Sequence, residues 1–459
     1  MTSPDTSRPA AGALYRAIWR WHFYAGLIVA PILLVMAVTG SIYLFNSEIE
    51  DWLHHDRRFV NVEGAAMPAS HSIAAAQGAQ AGQVVSIDMP ATPDRPAEVA
   101  IKPATGEAVQ VAVEPATMEV LGTYVAGDTL VGLAREIHRS LTIGPLGRGI
   151  VELAACWTLV MVGTGIYLWW PRGAAFHLGG VLFPRVWLRG RALLKDVHAV
   201  TGVWVAALIV FLIATGLPWA GVQGGIIRQG VTAMGIGYPP RGAESVPMQA
   251  AVKDAPWTLA EAPMPKSAPA SEHAGHAGHE AAGGGGDAAA VEGVDRITDA
   301  LWAMGITGGY RLTLPAGPTG VYTASIYPDR PQGQRTLYFD RHTGALIKDV
   351  GYGDYGWGAK AIELGVQLHM GNYFGRANQI VMLLPCIGIV LLVVSGIWMW
   401  WKRRPAGRLA APPKVPEARM RIALGLVGIA GVLLPLFGAS LVAVFALDRI
   451  VTALKPKPA

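Results

Sequence analysis

Charge and cysteine are what this sequence has least of. Asp, Glu, Lys and Arg make up 15% of its 459 residues, where soluble chains carry about 25%. With 52% hydrophobic residues and 15 Trp, that deficit excludes a disordered chain and argues against an ordinary soluble enzyme. The two cysteines, Cys156 and Cys386, both fall in apolar runs. A disulfide framework is therefore excluded, and no C-x-x-C-H run is present for covalent cofactor attachment. No Ser-His-Asp or paired-carboxylate arrangement stands out, so no catalytic residue is assigned. A strand-G-x-G-x-x-G-helix unit is also missing. Gly144-Pro145-Leu146-Gly147-Arg148-Gly149 has neither the glycine spacing nor a preceding strand.

What the chain has instead is long apolar runs, together with 56 Gly and 32 Pro, too many for a helical bundle alone. Five runs are long enough for a bilayer core of about 30 Å: Trp21–Phe45, Leu153–Trp170, Val197–Ile227, Ala377–Trp401 and Ile422–Leu447. None contains a charged residue, and Trp and Tyr gather near their ends as interfacial anchors. The loop Pro171–Lys195 has five basic residues and no acidic one, and Lys402–Arg421 has seven basic residues against Glu417. The stretch Asn46–Gly149 carries thirteen acidic and seven basic residues. The positive-inside rule puts the N-terminus and both basic loops in the cytoplasm. The first run is too long for a signal-peptide h-region and is expected to be retained.

The resulting division is a cytoplasmic N-terminus and first span (1–45), an external domain (46–149), a second span (150–170) and a basic loop (171–196). A third span (197–227) leads to a second external domain (228–376) with a flexible insert at 241–293. The fourth span (377–401), a second basic loop (402–421), a fifth span (422–447) and an external tail (448–459) complete it. Alternating runs at Val84–Met89, Glu98–Lys102 and Val109–Val113, and again at Tyr310–Leu314, Val321–Tyr327 and Thr336–Phe339, read as half-buried strands. Both sets close with an acid-x-x-Thr turn, Glu114–Thr117 and Asp340–Thr343. Helices at Asp128–Leu141 and Tyr355–Met370 follow.

The halves also match each other. His22, Gly26, Thr39 and Gly40 recur as His198, Gly202, Thr215 and Gly216 at one offset of 176. His138, Gly144, Gly165 and Trp169-Trp170 recur as His369, Gly375, Gly396 and Trp400-Trp401 at one offset of 231. The chain reads as an internal duplication of span, external domain and span, followed by one extra span.

This layout resembles the PepSY-associated transmembrane family of bacterial inner-membrane proteins over about residues 14–404. The strings that carry the resemblance are Trp19-Arg20-Trp21-His22, Leu368-His369, Trp169-Trp170-Pro171-Arg172 and Trp400-Trp401-Lys402-Arg403-Arg404. The fold it implies is an α-helical membrane protein of five transmembrane helices with two α+β PepSY-like domains in the periplasm. The family includes di-haem reductases of ferric siderophores and proteins known only as iron-regulated membrane proteins.

Four of the twelve histidines hold repeat-matched positions. His22 and His198 begin spans of one direction and lie near the cytoplasmic face; His138 and His369 precede spans of the other and lie near the external face. Two histidines at one depth suit the axial positions of a b-type haem, which needs no cysteine. Interfacial anchoring is the plainer role for any one of them. Gly26 and Gly40, four and eighteen residues after His22, share roughly its helix face. They allow approach of a macrocycle or of another helix.

The expectation is therefore two haems, one at each face, passing electrons outward to a ferric siderophore or other ferric chelate. The donor is then external, a quinol or a cytoplasmic reductase. A di-haem carrier serving another reductase and a membrane-tethered PepSY module that regulates proteases are the alternatives. His273, His276 and His279 lie in a Gly/Ala linker, where such a tract binds Zn, Cu or Fe or is simply solvated. Glu152 and Glu363 are placed to hydrogen-bond a ligand histidine. The basic balance is topological, so no nucleic-acid partner is required.

Overall fold

A computed structural model of the protein describes residues 8–61, 64–172, 178–238, 248, 259–260, 262, 264–267, 288–317, 319–404 and 421–454. The first helices are α1 (Arg8–Leu44), α2 (Asn46–Leu53), α3 (His55–Arg58) and α4 (Ala69–Ala79). Strands β1 (Gln83–Met89), β2 (Ala97–Lys102), β3 (Val109–Val113) and β4 (Val120–Val125) follow. Next come α5 (Leu130–Ser140), α6 (Gly144–Trp169), α7 (Gly190–Gly216), α8 (Val222–Ala233), α9 (Ala288–Glu292) and α10 (Val294–Ala303). Strands β5 (Tyr310–Thr313), β6 (Val321–Ile326), β7 (Arg335–Asp340) and β8 (Leu346–Gly351) precede α11 (Trp357–His369) and α12 (Arg376–Arg403). The last two helices are α13 (Arg421–Leu433) and α14 (Pro435–Leu454). The chain forms two compact units, Met1–Leu44 with Ala134–Arg228 and His369–Ala459, and Phe45–Leu133 with Gln229–Leu368.

The first unit is helical. Four helices are long and apolar enough to cross a membrane, Leu14–Leu44, Gly144–Trp169, Gly190–Trp219 and Arg376–Arg403. They close a ring in which α1 touches α6 and α12, and α7 touches the same two. Small buried residues, Ala25, Ala37, Ala154 and Ala206, let the backbones approach. At Gly388 a Cβ would stand 2.7 Å from Val205 Cγ1, so α7 and α12 meet closely there. Large apolar side chains such as Ile28, Val381, Leu384 and Val394 are exposed, a surface that only lipid covers without cost. The protein is a membrane protein.

Two expected spans differ from the structure. The third ends at Trp219 rather than Ile227, since Pro218 turns its last residues, Leu217–Trp219, into a 3-10 turn before α8 begins. The segment expected as a fifth span is two helices, α13 and α14. Pro435 has no amide hydrogen to continue α13, and its ring would clash with the Gly431 carbonyl. The chain therefore folds back on itself. Gly431 and Gly438 make the contact, and a Cβ on Gly438 would collide with the Gly431 carbonyl. The apolar stretches Arg421–Leu433 and Pro435–Leu447 each reach about 20 Å at 1.5 Å per residue. That is short of a bilayer core of about 30 Å. The turn seats on the middle of α6: Trp157 Nε1 donates to Ser440 Oγ at 3.1 Å, and its ring meets Phe437 at 4.8 Å.

The second unit is one antiparallel sheet of eight strands, ordered β4-β3-β2-β1-β5-β6-β7-β8. Where the sequence reading expects two external domains, the strands of both segments share this sheet. Its centre is the β1–β5 pair, in register Ser86↔Thr313, Ile87↔Leu312, Asp88↔Arg311 and Met89↔Tyr310. Arg311 clasps Asp88 across that junction with two bonds of 2.6 and 2.9 Å. Alternation assigns Leu337 and Phe339 to one face and Tyr338 to the other. On the first face α4 and α10 bury Ile73, Ile297 and Leu301 against Ile87, Val99, Leu312 and Phe339. On the second face Met248, Leu259, Ala262 and Met264 pack against Val321, Tyr338 and Val350. The described part of the expected flexible insert is thus packed core, with Met248 and Leu259 fully buried.

Both acid-x-x-Thr turns form as expected. Thr117 Oγ1 donates to Glu114, and the amides of His342 and Thr343 donate to Asp340. Near the start of this unit Arg95 and Arg58 converge on Asp51 at 2.6–2.8 Å. The Arg95 bonds, ahead of all other causes, hold its carboxyl down to about 2.

Candidate functional site: four seated histidines

Every repeat-matched histidine lands on a hydroxyl–glycine pair of another helix. His22 of α1 places Nδ1 2.9 Å from Thr164 Oγ1 of α6, and Gly165 follows that threonine. His138, at the end of α5, reaches back to α1 with Nδ1 3.0 Å from Thr39 Oγ1. The other half repeats the exchange. His198 of α7 meets Ser395 of α12 at 3.0 Å, and His369, the last residue of α11, meets Thr215 of α7 at 2.9 Å. A Cβ on the adjoining glycine would stand close to the ring Cε1: 3.1 Å at Gly40, 3.3 Å at Gly165, 3.5 Å at Gly216 and 3.4 Å at Gly396. A side chain at Gly40 or Gly165 would press on the imidazole, whereas a Cβ at Gly216 or Gly396 would meet it in ordinary contact.

Helix chemistry makes these seats. A Thr or Ser inside a helix turns its hydroxyl proton back to the carbonyl four residues earlier. Thr39 bonds to Val35 at 2.7 Å, Thr164 to Val160 at 2.9 Å, Thr215 to Phe211 at 2.7 Å and Ser395 to Leu391 at 2.5 Å. The oxygen lone pairs are left for the ring of the neighbouring helix.

Two of the seated rings meet. His22 and His198 have centroids 6.4 Å apart and planes at 86°. Two imidazole nitrogens each about 2 Å from one metal ion place their ring centroids about 6 Å apart, so this pair has the span of two axial ligands. His138 and His369 occupy the two matching seats, on Thr39 of α1 and Thr215 of α7. Along α1, the eighteen residues from His22 to the His138 seat at Gly40 cover about 27 Å. The bundle thus has an imidazole pair toward each end, on the scale of a membrane's apolar thickness. All four histidines are half-buried, and the His22–His198 pair has the separation to hold one six-coordinate metal centre.

Other candidates lie elsewhere. Glu152, buried in α6, accepts the amides of Val222 at 2.9 Å and Gln223 at 2.8 Å and so caps α8. Glu363 accepts from Tyr327 Oη and from Gln334 Nε2 at 3.1 Å. His273, His276 and His279 lie outside the described residues. Among the described residues no group of three or more His, Cys, Asp and Glu could hold a metal. His55 stacks on Phe59 at 4.6 Å, and His54 lies 3.7 Å from Glu50.

Thr164 and Ser395 escape the sequence reading, which gives Thr39 and Thr215 a repeat position but no task. The usable signal is that Thr164-Gly165 and Ser395-Gly396 share the offset of 231 that relates His138 to His369. Of the glycines that the sequence reading considers as clearance for a macrocycle or a helix, Gly40 and Gly216 lie against an imidazole, whereas Gly26 and Gly202 face Met161 and Leu392.

No curated protein matches the chain. The model of the PepSY-associated TM region matches residues 19–403, a range that takes in all four histidines, their four seats and the eight-stranded sheet. The chain belongs to the PepSY-associated TM family.

Proposed function

We propose that the protein is a di-haem b-type oxidoreductase of the bacterial inner membrane. It reduces a ferric siderophore or another ferric chelate in the periplasm, with electrons from a quinol or a cytoplasmic reductase. The observation that carries this reading is the His22–His198 pair, at 6.4 Å and 86°, with a second imidazole pair built the same way on the other seats. Haem bound at such a pair supplies a one-electron Fe(III)/Fe(II) couple.

The chain's own contribution is ligation, orientation and exclusion of water. His22 and His198 hold the cytoplasmic position, with the basic loops on that side, and His138 and His369 hold the external one. At the external site no proton is exchanged, since each ferric ion takes up one electron and leaves its chelator as Fe(II); a quinol donor would release its two protons where it is oxidised, for every two ferric ions reduced. The sheet unit is the part of the chain that meets the chelate. Internal duplication accounts for two sites with identical seats.

The test is an absorption spectrum of the detergent-purified protein, oxidised and dithionite-reduced, with haem-to-protein stoichiometry. Sharp reduced α and β bands with two haems per chain support the proposal. A colourless protein, expressed with ample haem, overturns it. His138→Ala and His369→Ala should each remove one haem and abolish reduction of external ferric chelate.

A further inference from the structure

We infer that Thr39, Thr164, Thr215 and Ser395 are positioning residues. Each fixes its histidine as the Nδ1–H tautomer and so presents Nε2 as the ligand atom to haem, an inference that rests on the di-haem reading. Each hydroxyl has one proton, and the helix carbonyl four residues back already takes it. Toward the imidazole the oxygen can only accept. The bond therefore requires a proton on Nδ1, and a neutral ring protonated there has its only lone pair on Nε2.

The glycine of each pair completes the seat by letting Cε1 settle against the helix backbone at 3.1–3.5 Å from where a Cβ would be. The ring is then held at two points, a bond at Nδ1 and a van der Waals stop at Cε1. In each half the exchange is reciprocal: the helix that gives one histidine receives the other. A shift of α1 would therefore misplace His22 and the Thr39 seat of His138 together.

The acceptors are neutral. A neutral acceptor polarises the Nδ1–H bond less than a carboxylate does, so the ligand nitrogen gains only moderate basicity. A buried carboxylate at the same place would add a charge to the apolar bundle that these seats avoid.

Valine has threonine's shape without its hydroxyl, which separates the bond from the packing. Thr39→Val should weaken the haem held by His138 and His369 by about 10–100-fold, the range for outer-shell partners of metal ligands. It should raise that haem's midpoint potential and leave the other haem unmoved. Thr164→Val should do the same to the His22–His198 haem alone, and Thr39→Ser and Ser395→Thr should behave as wild type. Unchanged affinity and potential in both valine variants overturns the inference while the haem reading stands.

A second readout needs no haem. In haem-stripped full-length protein with 15N-labelled histidine, the four seated rings should show protonated Nδ1 and bare Nε2. The opposite tautomer at these sites refutes the seat. A wild-type protein that takes up no haem yet shows this tautomer removes the proposed function and keeps the seat.

Discussion

His22 and His198, 176 residues apart in the chain, stand with ring centroids 6.4 Å apart and planes nearly perpendicular. The angle is set by the seats rather than by the rings themselves. His22 is turned by Thr164 on α6 and His198 by Ser395 on α12, helices on different sides of α1 and α7. Perpendicular axial imidazoles leave the two iron orbitals that overlap with them nearly degenerate. The oxidised haem at this pair should therefore give a strongly anisotropic low-spin EPR signal. Its removal by His22→Ala or His198→Ala, with the second haem signal retained, assigns it. A rhombic signal at this site contradicts the seat geometry.

The glycine spacings rank a substitution series. At Gly40 a methyl group would press on His138 at 3.1 Å, whereas at Gly216 it would touch His369 at an ordinary 3.5 Å. Gly40→Ala should thus lower haem affinity by about 10-fold, and Gly216→Ala should leave it nearly intact. Haem titration of the two variants decides the order; equal losses would count against the stop at Cε1.

Glu152 predicts stability without cofactor. Its buried carboxylate bonds the first two amides of α8, so Glu152→Ala leaves those donors bare. A loss of about 1–3 kcal/mol is expected, smaller for Glu152→Gln, which keeps one acceptor oxygen. Thermal unfolding in detergent should fall while both haem potentials stay where they were. A shifted potential would mean that Glu152 acts on a haem site after all.

The α13–α14 hairpin predicts sidedness. If its turn lies at the depth of Trp157, midway along α6, then Arg449 returns to the side where α12 ends at Arg404. Single cysteines at these two positions should react with a membrane-impermeant maleimide from the same side. Cys156 and Cys386 are buried and should stay silent. Labelling of the two sites from opposite sides would make this segment the fifth span that its hydropathy suggests.

A pH dependence follows from Asp51. Its carboxyl sits at about 2 in the folded chain instead of the ordinary 3.8, chiefly through Arg95. A lowered carboxylate stabilises the fold above its unfolded value and loses that contribution as pH falls from about 4 to about 2. The side chain is 24% exposed, so solvent screening limits the contribution to about 1 kcal/mol. Asp51→Asn should be less stable than wild type at neutral pH, and the two should converge near pH 2. A constant gap across that range would assign the effect to packing.

What was legible in the sequence is what leaves a local trace. A bilayer imposes a run without charge, and a half-buried sheet imposes alternation, so four spans and six of the eight strands are readable. β4 and β8 escape because their burial does not alternate cleanly, and α4 because its Ala-rich turns show little contrast between faces. The apolar run 422–447 is uninterrupted to a hydropathy window, with Pro435 as its only punctuation. The four histidines are legible because they repeat. Their seats are not, because nothing near Thr164 says that a ring from 142 residues away will bond to it.

The pairing of β1 with β5 has a consequence for biosynthesis. Strand β1 is made about 220 residues before its partner, a delay of roughly 10–45 s at ribosomal rates. Throughout that interval the first four strands present an unprotected edge to their surroundings, the kind that invites pairing with foreign chains. Neither half can finish folding before the third crossing has been threaded and the segment that follows it delivered. The polypeptide therefore matures as a single assembly event late in translation, and a nascent chain arrested before β5 is a substrate for chaperones and proteases.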